Sequence, residues 1–386
     1  MTEKGRPIIG LVMVGGGARA AYQVGVLKAI AKMLPDRSRN PFQIICGTSA
    51  GAINAAALAI YARHFRDAVR KLNFVWKNFH VEQVYRVDPW GLVKTGARWM
   101  TAFLLGGLGK QNPQALLDRT PLEQLLAKYM PFEKIQDAID AGALMAVSVT
   151  ASGYGSGQSV TFYQGLDTLE PWKRSRRIGA ASKITLDHLM ASSAIPFLFQ
   201  AVKINREHFG DGSMRQVAPI SPALHLGADK IFAIGVRYNS ANGQSLRPEP
   251  QGYPSLAQIA GHVLNTIFFD ALEGDLERLE RINRMVDLIP PTGTLREHGE
   301  RLKRVNTFFI GPSRDIEAIA TKHIQTLPKG LRMLLRGVGA RQRHGANLVS
   351  YLLFERAYCR ELIALGYADA MARRSEILDF LQPPGR

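Results

Sequence analysis

The sequence predicts an α/β fold built on a mainly parallel sheet. Three observations carry this: short apolar runs that read as buried strands, glycine-rich turns directly after the first two of them, and helical spacing after each turn. Ile8–Val14 is the first run, and Gly15–Ala20 follows as a glycine loop. Ala21–Leu34 has apolar residues at helical intervals (Val24, Leu27, Ala31, Leu34) and stops before Pro35. Phe42–Cys46 is the second strand, and Ala50–Ala62 is the Ala-rich helix beyond its turn. Strand, loop and helix repeated in this order call for parallel neighbours joined by crossover helices.

Further along, Arg63–Phe79 continues helically with mixed charge. Val81–Gly109 is irregular and holds Trp90, Trp99 and Phe103, with no acid between Asp88 and Asp118. It reads either as a packed insertion or as a cover that touches membrane. Leu144–Thr150 and Ser159–Tyr163 are strands around a Gly/Ser turn, Ser152–Gly157. Thr185–Ser193 is helical, and Pro196 forces an extended exit. Ala201–Ile204 and Phe209–Gly212 suit a strand pair, Ile220–Leu226 a short helix, and Lys230–Val236 another buried strand. Asn239–Pro254 is rich in Gly, Pro, Asn and Ser and reads as a linker. Beyond it the spacing is mainly helical, over Ser255–Asn283, Arg314–Thr326, Leu331–Val338 and Ala346–Leu381. The expected organisation is an α/β domain over 1–238, a linker over 239–254 and a helical C-terminal extension over 255–386.

Composition narrows the class. The chain has 386 residues, of which 46% are hydrophobic, so it can bury a large core. Its two cysteines, Cys46 and Cys359, make neither a disulfide framework nor a zinc spacing. They fit a reducing, cytoplasmic setting. The N-terminus does not read as a signal peptide, and no run reads as a transmembrane helix. The net charge of +17 favours polyanions. Two stretches are basic without acids: Lys173, Arg174, Arg176, Arg177 and Lys183, and then Lys322 through Arg343. They read as solvated faces or as contacts with an anionic membrane surface. No zinc finger, RNA-binding signature or helix-turn-helix pattern accompanies them, so lipid fits the charge better than nucleic acid.

Three segments carry chemistry. Gly47-Thr48-Ser49-Ala50-Gly51 is a G-x-S-x-G element between a strand and a helix, which lifts Ser49 onto the tip of a sharp turn. The competing reading is a glycine turn with a Ser N-cap. Gly15-Gly16-Gly17-Ala18-Arg19 lets backbone N–H groups converge where no Cβ intervenes, to hold a phosphate or an oxyanion. Gly15-x-Gly17-x-x-Ala20 also fits a dinucleotide fingerprint, which would make the protein a nucleotide-binding oxidoreductase. Asp36 is poorly placed for ribose in that reading, and the next strand ends in a nucleophile turn instead of an acid. Asp211-Gly212-Ser213 puts a carboxylate at a strand end, although Asp-Gly is also a common turn.

Taken together, Leu11 to Leu27, Gly47 to Gly51, Ala191-Ser-Ser-Ala-Ile-Pro196 and Asp211-Gly-Ser213 resemble the patatin-like phospholipase family, in its order and spacing, over about residues 7–235. The resemblance implies a three-layer α/β/α fold and a Ser–Asp dyad that hydrolyses lipid acyl esters. It makes Ser49 the nucleophile and Asp211 its base. The Gly15–Arg19 loop becomes the oxyanion hole, with the N–H groups of Gly16 and Gly17 as donors. Two positions depart from the family pattern: Ala20 stands where glycine is usual, and Ser213 follows Asp-Gly. The implied chemistry needs no metal and no cofactor. His188, before a helix, reads as a packing or capping residue. A membrane-binding scaffold that kept this fold without catalysis is the remaining alternative.

Overall fold

A computed structural model of the chain describes residues 6–35, 39–86, 115–238, 271–288, 303–328 and 343–382, with short pieces at 101, 296–297, 300–301 and 331–332. The predicted apolar runs form strands. In chain order the elements are β1 (Ile9–Met13), α1 (Ala21–Met33), β2 (Ile44–Thr48), α2 (Ala50–Ile60), α3 (Phe65–Lys77), α4 (Thr120–Tyr129) and α5 (Lys134–Asp140). Then come β3 (Ala146–Gly153), β4 (Ser159–Gly165), β5 (Trp172–Arg174), β6 (Arg177–Ala181), α6 (Leu186–Ser192), β7 (Val202–Ile204), β8 (Glu207–Asp211), α7 (Ser221–His225) and β9 (Lys230–Ile234). The C-terminal part adds α8 (Ala271–Asp287), β10 (Asn306–Ile310), α9 (Ile316–His323), α10 (Arg343–Leu352), α11 (Arg356–Ala372) and α12 (Arg374–Leu381).

The central sheet runs β10-β9-β1-β2-β3-β4-β6-β5, and β8 pairs with the end of β3. From β10 to β3 every neighbouring pair is parallel. Side chains alternate across it as a pleated strand requires. In β1, Leu11 and Met13 join the larger apolar core while Val12 joins the core on the opposite face. Helices α1, α2 and α3 cover the first face, and α7 and α8 cover the second, which gives three layers. The chain leaves β1 for β2 on one side and returns at β9 on the other. The strand order thus reverses between β9 and β1, and the carboxyl ends of β1 and β2 lie side by side in parallel register. Among the described residues, no helix is long and apolar enough to cross a membrane.

Several boundaries differ from expectation. β2 runs through Thr48, so Gly47 and Thr48 belong to the strand and the turn falls on Ser49 itself. Helices α4 and α5 and the hairpin of β5 and β6 had no clear signal in the sequence. The basic residues Lys173 to Arg177 lie on that hairpin, at the sheet's edge. The expected linker at 239–254, the start of the helix expected at Ser255, most of the irregular segment Val81–Gly109 and most of Leu331–Val338 lie outside the described residues.

The C-terminal part is not an appendage. Asn306–Ile310 enters the sheet as β10, parallel to β9, and Phe308 stacks on Phe232 at 5.0 Å between ring centroids. Helix α11 crosses α1 backbone to backbone. A Cβ on Gly25 would stand 2.2 Å from the Ile363 carbonyl oxygen, and one on Gly366 2.2 Å from that of Tyr22. Two glycines facing each other's carbonyls allow a helix approach that no other residue permits. A chain ending at 238 would leave β9 as an unpaired edge and uncover the apolar face of α1. We predict that such a truncation aggregates and lacks the cooperative thermal transition of the full chain in circular dichroism. A soluble, cooperatively melting truncation would contradict this integration.

Candidate active site

The glycine loop and the Ser49 turn meet at the carboxyl ends of β1 and β2. Ser49 has φ 53° and ψ −129°, a left-handed conformation that a residue with a Cβ rarely adopts. Such geometry costs on the order of 1–3 kcal/mol and persists where the surroundings enforce it. Here they do. The Ser49 N–H donates to Ser192 Oγ at 2.8 Å, and that hydroxyl donates to the Thr150 carbonyl at 2.6 Å. The Ser49 carbonyl accepts from the Ala52 N–H at 2.9 Å, the first turn of α2. A Cβ on Gly47 would lie 2.5 Å from Ala52 Cα, and one on Gly51 2.3 Å from the Met13 carbonyl oxygen. The turn therefore needs both glycines to bring α2 against its strand and against β1.

The N-cap reading of Ser49 does not hold, since its side chain makes no capping bond to α2. The hydroxyl instead donates to Asp211 Oδ2 at 2.7 Å, across 162 positions of sequence. Asp211 ends β8, placed opposite Ala151 of β3, and its own N–H donates to the Ala194 carbonyl at 2.9 Å. Its Oδ1 accepts from the Ser213 N–H at 2.9 Å, so the Asp-Gly turn reading holds as well. Gly212 is packed so closely that a Cβ there would lie 2.1 Å from the Thr150 carbonyl oxygen. Asp211 is fully buried. Loss of hydration pushes its carboxyl up to about 6, against the opposing hydrogen bonds from Ser49 and Ser213 and the charge of Arg119.

The glycine loop closes the other side. A Cβ on Gly15 would stand 2.6 Å from Ser213 Oγ and 2.9 Å from Ser49 Cβ. Gly16 packs against Val236. Gly17 has φ 54°, and a Cβ there would lie 2.3 Å from the Tyr351 carbonyl oxygen. Ala18 is fully buried in the core. Arg19 departs from the expected oxyanion role: its N–H donates to the Gly16 carbonyl at 3.1 Å. Its buried side chain points to the C-terminal part. Nε donates to Ser350 Oγ at 2.7 Å, Nη2 lies 3.4 Å from Glu317 Oε1, and the guanidinium sits 4.7 Å from the centre of the Tyr351 ring. The loop is thus held by residues about 300 positions or more away in the sequence.

Sequence reasoning missed Ser192, Arg119 and Ser350. Ser192 falls inside a quoted segment but had no assigned part. Arg119 is buried and donates to the carbonyls of Met190 and Gln200, near enough to Asp211 to act on its charge. Thr48 Oγ1 donates to Gln216 Oε1 at 2.5 Å, beneath the turn. His188 takes the packing and capping part expected of it. It forms a capping box with Thr185, its ring packs on Phe162 at 4.5 Å, and burial pushes its pKa down to about 4. Asp36, the acid weighed for a ribose, lies outside the described residues.

Ser49 and Gly17 open onto a cavity of about 590 Å³. Its walls are mostly apolar and include Ile53, Leu122, Leu126, Ile195, Phe199 and Phe354. The size and lining suit an apolar ligand with one polar end at Ser49.

A family model described as patatin-like phospholipase matches residues 11–224. The chain belongs to the patatin-like phospholipase family, a class of lipid hydrolases. No curated protein matches the chain. Among solved structures it is similar to VipD from Legionella pneumophila, with 12% identity, TM-score 0.36, and 97% of this chain and 69% of that one covered. It is also similar to human GIVD cytosolic phospholipase A2 bound to methyl γ-linolenyl fluorophosphonate, with 13% identity, TM-score 0.46, and 99% and 60% covered.

The raised Asp211 pKa has a consequence for stability. The unfolded chain loses this proton near the usual carboxylate value, the folded chain only near 6. The fold therefore loses stability from this group as pH rises from about 4 to 6, on the order of 3 kcal/mol. Asp211→Asn removes that loss. Its stability relative to the native protein should improve by about that amount from pH 4 to pH 7, read from urea melts at each pH. A difference independent of pH would contradict the buried, proton-retaining carboxylate.

Proposed function

We propose that this protein is a serine lipid acyl hydrolase of the phospholipase A or lysophospholipase type, with Ser49 as nucleophile and Asp211 as its base. The observation that carries the proposal is the 2.7 Å hydrogen bond from Ser49 Oγ to a fully buried carboxylate, at the end of an apolar cavity. An unassisted hydroxyl is a poor nucleophile near neutral pH. A carboxylate with its pKa near 6 is a stronger base than a solvated one, yet is ionised at pH 7. The acyl chain occupies the cavity and its ester carbonyl meets Ser49. As Oγ attacks, its proton passes to Asp211 Oδ2. Negative charge builds on the carbonyl oxygen, and the N–H groups of Gly16 and Gly17 and the α2 N-terminus stabilise it. Asp211 returns the proton to the departing alcohol, leaving an acyl-enzyme. Water, deprotonated by the same carboxylate, then releases the fatty acid.

Both cysteines are buried and unpaired, consistent with a reducing compartment. The substrate is a phospholipid or related lipid ester, met at a membrane surface without a nucleic-acid partner or a cofactor. The glycine loop is packed against Ser49 and Tyr351, which favours an oxyanion over a dinucleotide.

A hydrolysis screen over phospholipids, lysolipids, monoacylglycerols and short esters tests the proposal, with Ser49→Ala as blank. Ser49→Ala and Asp211→Asn should each lower turnover by at least a thousandfold while melting cooperatively. His188→Ala should keep most activity, and a collapse there would point to a histidine base. The kcat/KM of the native protein should fall about tenfold per pH unit below 6, because only ionised Asp211 accepts the proton. Near-normal turnover in folded Asp211→Asn would remove the dyad.

A further inference from the structure

Neither acid-free stretch noted in the sequence has a described residue lining the cavity that leads to Ser49. Among the described residues, the exposed part of the cavity lining comes instead mainly from α3 and α4, and its chemistry is distinctive. Arg70 and Lys71 are the charged residues of its described lining. Phe74 and Tyr129, also in that lining, are 69% and 53% exposed. Lysines sit against the tyrosines: Lys71 Nζ lies 3.8 Å from the centre of the Tyr61 ring, and Lys128 Nζ 5.1 Å from that of Tyr129. On the outward face of α3 and the turn before it Arg63, Arg70 and Lys71 outnumber Asp67, which pairs with Arg70 at 3.0 Å, while α4 presents Lys128 and Glu123.

An exposed Phe at a cavity mouth is costly in water. Aromatic rings with an apolar body and a polar edge, flanked by lysines, match the boundary between acyl chains and head groups. Cations there gain from an anionic surface. We propose that the mouth formed by Phe74, Tyr129, Arg70 and Lys71 docks on an anionic bilayer, with the cavity axis open to the lipid. This rests on the lipid-hydrolase reading for its purpose, and on the face itself for its chemistry. A lipid would then pass from the bilayer to Ser49 along apolar walls, without crossing water.

The test uses the full chain carrying Ser49→Ala, so that no lipid is consumed, and sucrose-loaded vesicles of phosphatidylcholine with or without phosphatidylglycerol. The protein should sediment with the phosphatidylglycerol vesicles, and high salt should release it. Arg70→Glu with Lys71→Glu should lower the partition coefficient at least tenfold, and Phe74→Ser severalfold. Lys173→Glu with Arg174→Glu, on the β5–β6 hairpin, should change it less than twofold. Both native cysteines are buried, so a bimane on Phe74→Cys reports that site alone. Its emission should shift to the blue with phosphatidylglycerol vesicles. A bimane on Leu288→Cys, 83% exposed beside the end of α8 on the other face of the sheet, should not shift. The proposal is overturned if the native chain ignores these vesicles, if the charge-reversed mouth binds unchanged, or if the probe at 74 stays in water while the protein sediments. Because binding is read without turnover, an inactive native enzyme would remove the catalytic reading and leave this result standing.

Discussion

One hydrogen bond, from Ser49 to Asp211, organises the carboxyl edge of this sheet. Its two ends arrive by different routes: Ser49 on a parallel strand that turns into a helix, Asp211 on an antiparallel strand laid against β3. Neither end is relaxed. The serine holds a backbone conformation that costs energy, and the aspartate keeps a carboxyl out of water. Both are sustained by neighbours with little freedom: Ser192 and Thr150 behind the serine, Ala194 and Ser213 around the aspartate. A site that stores strain in this way is already shaped before any ligand enters, which is what stabilising a short-lived charge requires.

The second constraint comes from the chain's far end. Tyr351 presses its backbone against Gly17, and Ser350 and Glu317 hold Arg19. Leu352 and Phe354 continue into the cavity wall. Strand β10 and helix α11 fasten this region to the sheet. The glycine loop is therefore a shared surface between the first and last thirds of the protein.

Much of this was legible in the residues. Gly15 to Gly17 and Gly47 to Gly51 are legible because close backbone approach leaves no substitute for glycine, and β1 and β2 because strands buried on both faces must be apolar throughout. Asp211 was ambiguous alone, since Asp-Gly serves turns as readily as sites, and in fact it serves both. What escaped depends on pairing across distance. Asn306–Ile310 is five residues long and becomes a strand only because β9 offers it an edge. Ser192 and Ser350 are ordinary hydroxyls until a fold sets them beside Ser49 and Arg19. Arg19 itself shows the limit of motif reading: its place in the loop was evident, but the direction of its side chain was not.

The most direct measurement is the site of covalent attachment of a fluorophosphonate, mapped by peptide mass spectrometry on the full chain at pH 8. The account predicts a single adduct on Ser49, formed at a rate that drops by orders of magnitude when Asp211 becomes Asn. An adduct on another residue, or labelling of Ser49 that is indifferent to Asp211, would contradict it.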